Sequence, residues 1–146
     1  MKAAAIGNRP RVFCMEWIDP VFCAGHWVPE MVELAGGQDV LGRKGMDSVR
    51  VTMEEVIASA PEILIVMPCG CGTREALGQA CQILCKSGWE RVPAVRLNRV
   101  YAVDAARFSR PSLRLVEGVE LLAHLFHPDY FEWLGAADAY SAVTGS

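Results

Sequence analysis

Long apolar runs are scarce in this 146-residue sequence; the longest, residues 63–68, falls far short of the roughly 20 residues of a membrane-spanning helix. Clustered positive charge is also lacking. Fourteen Lys and Arg are scattered among seventeen Asp and Glu, for a net charge of -3. A nucleic-acid face needs basic residues gathered on one surface, so no such partner is expected. Internal repeats and low-complexity stretches are absent. So are the P-loop, the G-x-G-x-x-G fingerprint and H-E-x-x-H. A Cys69–His26 nucleophile pair would lack an orienting third group, and no enzyme is expected. The first ten residues hold no apolar core of the secretory kind, so the polypeptide as written is expected to remain in the cytoplasm.

What is plentiful is core. Hydrophobic residues make up 52%, enough to fill one domain and to exclude global disorder. Six cysteines are many for this length, but disulfide frameworks belong to short, core-poor secreted chains. Cys14, Cys23, Cys81 and Cys85 sit among apolar residues and are expected as small buried hydrophobes. Cys69 and Cys71 instead form a C-x-C in a Gly-rich stretch.

Strand and helix signals alternate. RVFCMEW (residues 11–17) reads as a strand, Asp19-Pro20 as a turn, and residues 26–34 as a helix ended by Gly36-Gly37. Residues 49–51 suggest a small strand. Thr52 is placed to cap a helix reaching Ser59, with Glu54 and Glu55 in its first turn. EILIVM (residues 62–67), bounded by Pro on both sides, suits a buried central strand of a parallel sheet. After Pro68-Cys69-Gly70-Cys71-Gly72, Thr73 is expected to cap a helix over residues 74–86, with Ala76, Leu77, Ala80, Ile83 and Leu84 on its apolar face. Residues 99–103 read as a strand. Ser109-Arg110-Pro111 opens a last helix to Phe126, with Leu113, Val116, Val119, Glu120, Leu122 and Ala123 marking its period. Residues 129–146 are weakly patterned and expected to fray.

The alternation predicts an α/β fold: a three-layer sandwich with a mainly parallel sheet flanked by helices. In such sheets ligands bind beyond the carboxyl ends of the strands. That rule nominates residues 16–20, 68–72 and 104–108.

Three ordered blocks, VFCMEWIDPVFCAGHWVPEMVELAGGQDVLG, VTMEEVIASAPEILIVMPCG and VYAVDAARFSRPSLRLVEGVELLAHLFHP, resemble the second lobe of the long-linker-helix periplasmic binding proteins of ABC importers, of the cobalamin and iron-siderophore type. The resemblance covers about residues 9–128. It implies half of a two-lobe binding protein: residues 1–10 as a linker-helix remnant, 11–128 as the ligand-binding lobe and 129–146 as a tail. It implies no intrinsic cofactor, a cobalamin or other metal chelate as transported ligand, and an extracytoplasmic location. The implied partners are the transporter's membrane subunit and either a first lobe, absent from this sequence, or a second copy in a homodimer. By position, Glu16, Trp17, Asp104, Arg107 and Phe108 match cleft residues, and Glu54 matches the glutamate that docks on an arginine of the membrane subunit.

Each candidate also has a plainer reading. Trp17 offers a flat face to a corrin ring, or packs under its own loop. Trp27 is ligand contact or core. Asp104, with Arg107 and Phe108 beside it, accepts from ligand amides or caps a turn. His26 supplies a metal-binding imidazole, or is a hydrogen-bonded structural residue. Cys69 and Gly70 stand on the ligand-facing loop. Two readings of other classes remain: a thiol-based metal or redox module built from Cys69, Cys71, Cys81 and Cys85, and a vestigial truncated domain.

Overall fold

Strand β1 (Arg11–Trp17) is the strand around which the sheet is built, because Val12, Phe13, Cys14 and Met15 are all buried and must be covered on both faces. The computed structural model describes residues 9–18, 20–108 and 114–143. Most of the expected linker remnant, Asp19 of the expected turn and the opening of the last helix lie outside the described residues. β4 (Ile63–Val66) runs parallel to β1 from Val12↔Ile63 to Met15↔Val66, and β5 (Val100–Val103) runs parallel to β4. On the other edge of β1, β3 (Gln38–Asp39) pairs parallel at its start and β2 (Phe22–Cys23) antiparallel at its end. β6 (Tyr140–Ala142) closes the far side antiparallel to β5.

Alternation along the strands splits the core in two. Val12, Cys14, Ile63, Ile65 and Val103 face one layer, where α1 (Val28–Leu34) and α5 (Arg114–Phe126) contribute Met31, Val32, Leu122 and Phe126. Phe13, Met15, Leu64, Val66 and Ala102 face the other, formed by α2 (Met53–Ser59), α3 (Thr73–Leu84) and α4 (Pro93–Arg96) through Val56, Ala76, Ala80, Ile83 and Ala94. The expected three-layer sandwich is therefore present. Its central strands are parallel and its edges mixed.

Local chemistry sets the ends of the elements. Thr52 Oγ1 accepts from Glu55 N at 3.1 Å while Glu55 Oε1 accepts from Thr52 N at 3.0 Å, a reciprocal capping box that starts α2. The C-terminus of α5 is held by Arg99, whose Nη2 donates to Leu125 O and Phe126 O. His127 Nε2 lies 3.0 Å from Gly36 O, tying that end to the exit of α1.

Several expectations are corrected. The first helix begins at Val28 with Trp27 as its cap, because His26 adopts a left-handed φ of 58° that no helix accommodates. Residues 49–51 form only an isolated bridge, Phe22↔Arg50. Gly72, not Thr73, caps α3, and Thr73 Oγ1 is buried with no hydrogen-bond partner among the described residues. Cys81 and Cys85 are exposed rather than buried, since they lie on the face of α3 turned away from Ala76, Ala80 and Ile83. Val116 and Glu120 likewise face solvent on α5. The final segment does not fray throughout: Ala139 and Val143 are buried and bracket β6.

Candidate functional site

The carboxyl ends of β1, β4 and β5 meet at one edge of the sheet, and the loops that leave them are stitched together by backbone hydrogen bonds. Cys69 N donates to Glu16 O at 3.0 Å, joining the exits of β4 and β1. Ala105 N donates to Cys71 O at 3.1 Å, joining the exits of β5 and β4. Between them, Cys71 N donates to Pro68 O at 3.0 Å and closes a four-residue turn. Gly70 occupies its third position at φ 80°, where a type II turn requires glycine.

Two adjoining hollows open on this edge, and Glu16 lines both. One, of about 190 Å³, is bounded by Glu16, His26, Trp27, Met67 and Phe108. The other, of about 250 Å³, is bounded by Glu16, Trp17, Phe22, Ser48 and Cys69. Trp17 is 48% exposed, which leaves part of its side chain open to solvent. Trp27 is half-buried, and its Nε1 donates to Phe108 O at 2.6 Å. This bond couples the entry of α1 to the segment after β5.

The loop bearing His26 is clamped from across the chain. His26 N donates to Met46 O at 2.6 Å, and Gly45 N donates back to His26 O at 2.9 Å. Gly25 lies so close to this second strand of backbone that a Cβ there would fall 2.4 Å from Met46 O and 2.6 Å from Ser48 N. The clamp holds the His26 ring half-exposed, 5.5 Å from Trp27 and with Nε2 3.8 Å from Asp47 Oδ1.

Asp104 and Arg107 are engaged in building the edge. Asp104 Oδ1 accepts from Ala106 N at 3.0 Å, capping the 3₁₀ turn Ala105–Arg107. Its Oδ2 lies 3.2 Å from Nη1 of the buried Arg107, whose Nε approaches Glu117 Oε2 of α5 at 3.3 Å. Phe108 is buried but turns part of its surface to the smaller hollow. Of the candidates from sequence, Glu16, Trp17, His26, Trp27, Cys69 and Phe108 converge on the hollows. Glu54 stands apart, exposed on the first turn of α2. Sequence reasoning missed Gly25, Phe22, Ser48 and Met67. Only Met67, last in an apolar run that enters a nominated loop, carried a signal.

The four thiols of the metal reading do not converge. Cys69 and Cys71 precede α3 and Cys81 and Cys85 end it, roughly 15 Å away at 1.5 Å per helical residue. Among the described residues no group of three or more His, Cys, Asp or Glu is placed to hold a metal ion. Burial, with Glu75 next in importance, pushes the Cys71 thiol up from its ordinary value.

A larger hollow, of about 370 Å³, lies away from the strand ends beside α1 and is lined by Arg9, Glu33, Asp39 and Lys44. Its size does not make it the better ligand site, because its charges are already engaged. Glu33 pairs with Lys44, which holds the Glu33 carboxyl below its usual value, and Arg9 donates to Glu33 O and Gly37 O. Asp39 Oδ1 accepts from Leu41 N and Gly42 N, whereas Oδ2 is buried without a hydrogen-bond partner among the described residues. Burial pushes this carboxyl up to about 6 against those two stabilising N–H groups.

Comparison with known proteins follows the same lines. A family model described as periplasmic binding protein matches residues 2–106. YvrC of Bacillus subtilis (strain 168), described as an uncharacterized ABC transporter substrate-binding lipoprotein, is 45% identical over 47 residues, 32% of this chain and 15% of that protein. The apo structure of the periplasmic heme-binding protein RhuT from Roseiflexus sp. RS-1 matches with a TM-score of 0.69 and 26% identity, over 86% of this chain and 49% of that one. The periplasmic vitamin B12 binding protein BtuF of Vibrio cholerae shares the fold, with a TM-score of 0.64 and 17% identity, over 87% of this chain and 48% of that one. This chain thus spans about half the length of these solved structures, and a smaller part of YvrC.

Proposed function

The chain belongs to the periplasmic binding protein family, and on that premise we propose that it forms one wall of an ABC-importer binding site for a metal chelate of the cobalamin, heme or ferric-siderophore kind. The observation that carries this reading is the pair of hollows sharing Glu16, with the exposed Trp17 on one side and Trp27 on the other. Aromatic faces bury large apolar area against a planar macrocycle, and a carboxylate between them accepts hydrogen bonds from amide or hydroxyl substituents at its rim. Each hollow is smaller than the roughly 300–1,000 Å³ of an enclosed small-molecule pocket. A second surface, from another lobe or another copy of this chain, therefore completes the site. The role is one of extracytoplasmic capture without chemical conversion. The B12 and heme binding named for two of the matched structures favours a tetrapyrrole-like cargo.

Titration of the protein with cyanocobalamin and with hemin, followed by tryptophan fluorescence, tests the reading. Saturable quenching is expected with one of them. Trp17→Ala is expected to weaken it about thirtyfold, since a desolvated aromatic anchor contributes roughly 2 kcal/mol. The thermal unfolding midpoint should barely move, because the ring is half-exposed. Absence of saturable quenching up to high micromolar ligand would sink the tetrapyrrole reading, and equal affinity in the variant would remove Trp17 from the site.

Glu54 is assigned to docking on the transporter. It is exposed, away from the hollows, in the first turn of a helix whose cap is built by Thr52 and Glu55 and does not need it. Glu54→Arg is expected to leave the ligand titration unchanged while lowering stimulation of the cognate transporter's ATPase at least tenfold, as charge reversal at an ion-paired contact does. Unchanged stimulation would remove Glu54 from the interface.

A further inference from the structure

We propose that Cys69 and Cys71 form a redox-active dithiol that small-molecule disulfides convert, reversibly, into a disulfide within the turn that closes the strand edge. Cys69 is exposed and Cys71 half-buried, so an oxidant reaches the first more readily than the second. Only Gly70 separates them. A chain that reverses direction over consecutive Cα atoms 3.80 Å apart brings residues two apart to roughly 5–6 Å, inside the Cα separation that a disulfide spans. The hydrogen bonds from Cys69 N to Glu16 O and from Ala105 N to Cys71 O fix the backbone of both cysteines on either side of Gly70, and the Cys71 thiol, which accepts from Gln79 Nε2 at 3.5 Å, gives up that weak contact when it closes on Cys69.

The other four cysteines are excluded on geometry or access. Cys14 and Cys23 are buried in the two core layers, where burial pushes both thiols up and no oxidant enters. Cys81 and Cys85 are exposed but stand one helical turn apart. There Cβ atoms lie roughly 5–6 Å from each other, beyond the 3.5–4.5 Å a disulfide requires. The Cys85 thiol is already turned to donate to Cys81 O at 3.2 Å.

The exchange runs in two balanced steps. The Cys69 thiolate attacks one sulfur of a disulfide RSSR, forms the mixed disulfide and expels RS⁻. Cys71, its proton passing to solvent, then attacks Cys69 Sγ and expels the second RS⁻. The two thiols are oxidised, RSSR is reduced, and two RSH form once the released protons are taken up. Cys71 suits the resolving role because its burial and the neighbouring Glu75 disfavour a standing thiolate. An exposed disulfide across so short a loop is readily reduced again. The chemistry is independent of which ligand the edge takes.

Trypsin separates the two exposed pairs. Residues 51–74 form one tryptic peptide holding only Cys69 and Cys71, and residues 75–86 form the next, holding only Cys81 and Cys85. The protein is equilibrated in oxidised and reduced glutathione at graded ratios, alkylated, digested and weighed. Peptide 51–74 is expected to lose two hydrogens and both alkylation sites at ratios where peptide 75–86 remains doubly alkylated. Cys71→Ser is expected to trap one glutathione on Cys69. The proposal is overturned if peptide 51–74 stays doubly alkylated, or collects only glutathione adducts, even in a large excess of oxidised over reduced glutathione. It is overturned equally if peptide 75–86 closes first.

Discussion

Gly25→Ala is expected to lower stability by roughly 3 kcal/mol and to dismantle the half of the ligand edge that carries His26 and Trp27. The added methyl would meet Met46 O at 2.4 Å and Ser48 N at 2.6 Å, both backbone atoms that no rotamer change can move. Relief requires separating the two loops, which breaks the paired bonds between His26 and Gly45–Met46 and releases His26 from its left-handed conformation. Overpacking ordinarily costs about 1–3 kcal/mol, and the upper end applies where the obstacle is main chain. For a domain of this size the unfolding midpoint should fall on the order of 10 °C. Chelate titration should weaken in parallel, even though residue 25 presents no side chain to the ligand. A variant that keeps the wild-type midpoint would show that the clamp is not what positions this loop.

Asp39→Asn is expected to remove a fall in stability between pH 4 and pH 6. The folded protein holds the Asp39 proton up to about pH 6, whereas an unfolded carboxyl releases it near pH 4. The native state therefore binds more protons across that window, and stability declines as pH rises through it. The stabilisation that the protonated carboxyl contributes is present below the window and lost above it, a change on the order of 3 kcal/mol. Asparagine keeps an oxygen for Leu41 N and Gly42 N and stays neutral throughout. Its NH₂ takes the place of Oδ2, which finds no partner among the described residues, at a cost that does not vary with pH. The measurement is thus the difference in unfolding free energy between wild type and variant at several pH values. A difference that is flat from pH 4 to 7 would show that Asp39 titrates normally.

The parallel centre of the fold was legible because its signals are local and strong. β1 and β4 are short apolar runs bounded by turn residues, and their buried stretches, residues 12–15 and 63–66, pair in register. The Thr52–Glu55 box announces α2 within four residues. β2, β3 and β6 were not legible, since strands of two or three residues are too short for period-2 alternation to show. The placement of Cys81 and Cys85 failed for a related reason. Apolar neighbours in sequence do not say which side of a helix a residue occupies, and the buried side is set by Ala76, Ala80 and Ile83. At the strand edge, the rule that ligand loops follow parallel strands found Glu16, Trp17, Cys69 and Phe108. It could not find Gly25, whose need to be glycine comes from backbone some twenty residues onward.

The shortness of the outer strands bears on how two such lobes can meet. β6 offers three residues at one margin of the sheet, and β2 and β3 offer two each at the other, the latter split between opposite ends of β1. Stubs of that length cannot template a continuous ladder with another chain, a common defence against aggregation. Among the described residues, the sheet edges therefore disfavour assembly by sheet extension. Under the proposed function, the surface that completes the site would approach over the strand tips or the helical faces. Contact there would be carried by side chains and loops, free to loosen and re-form, rather than by a shared backbone ladder.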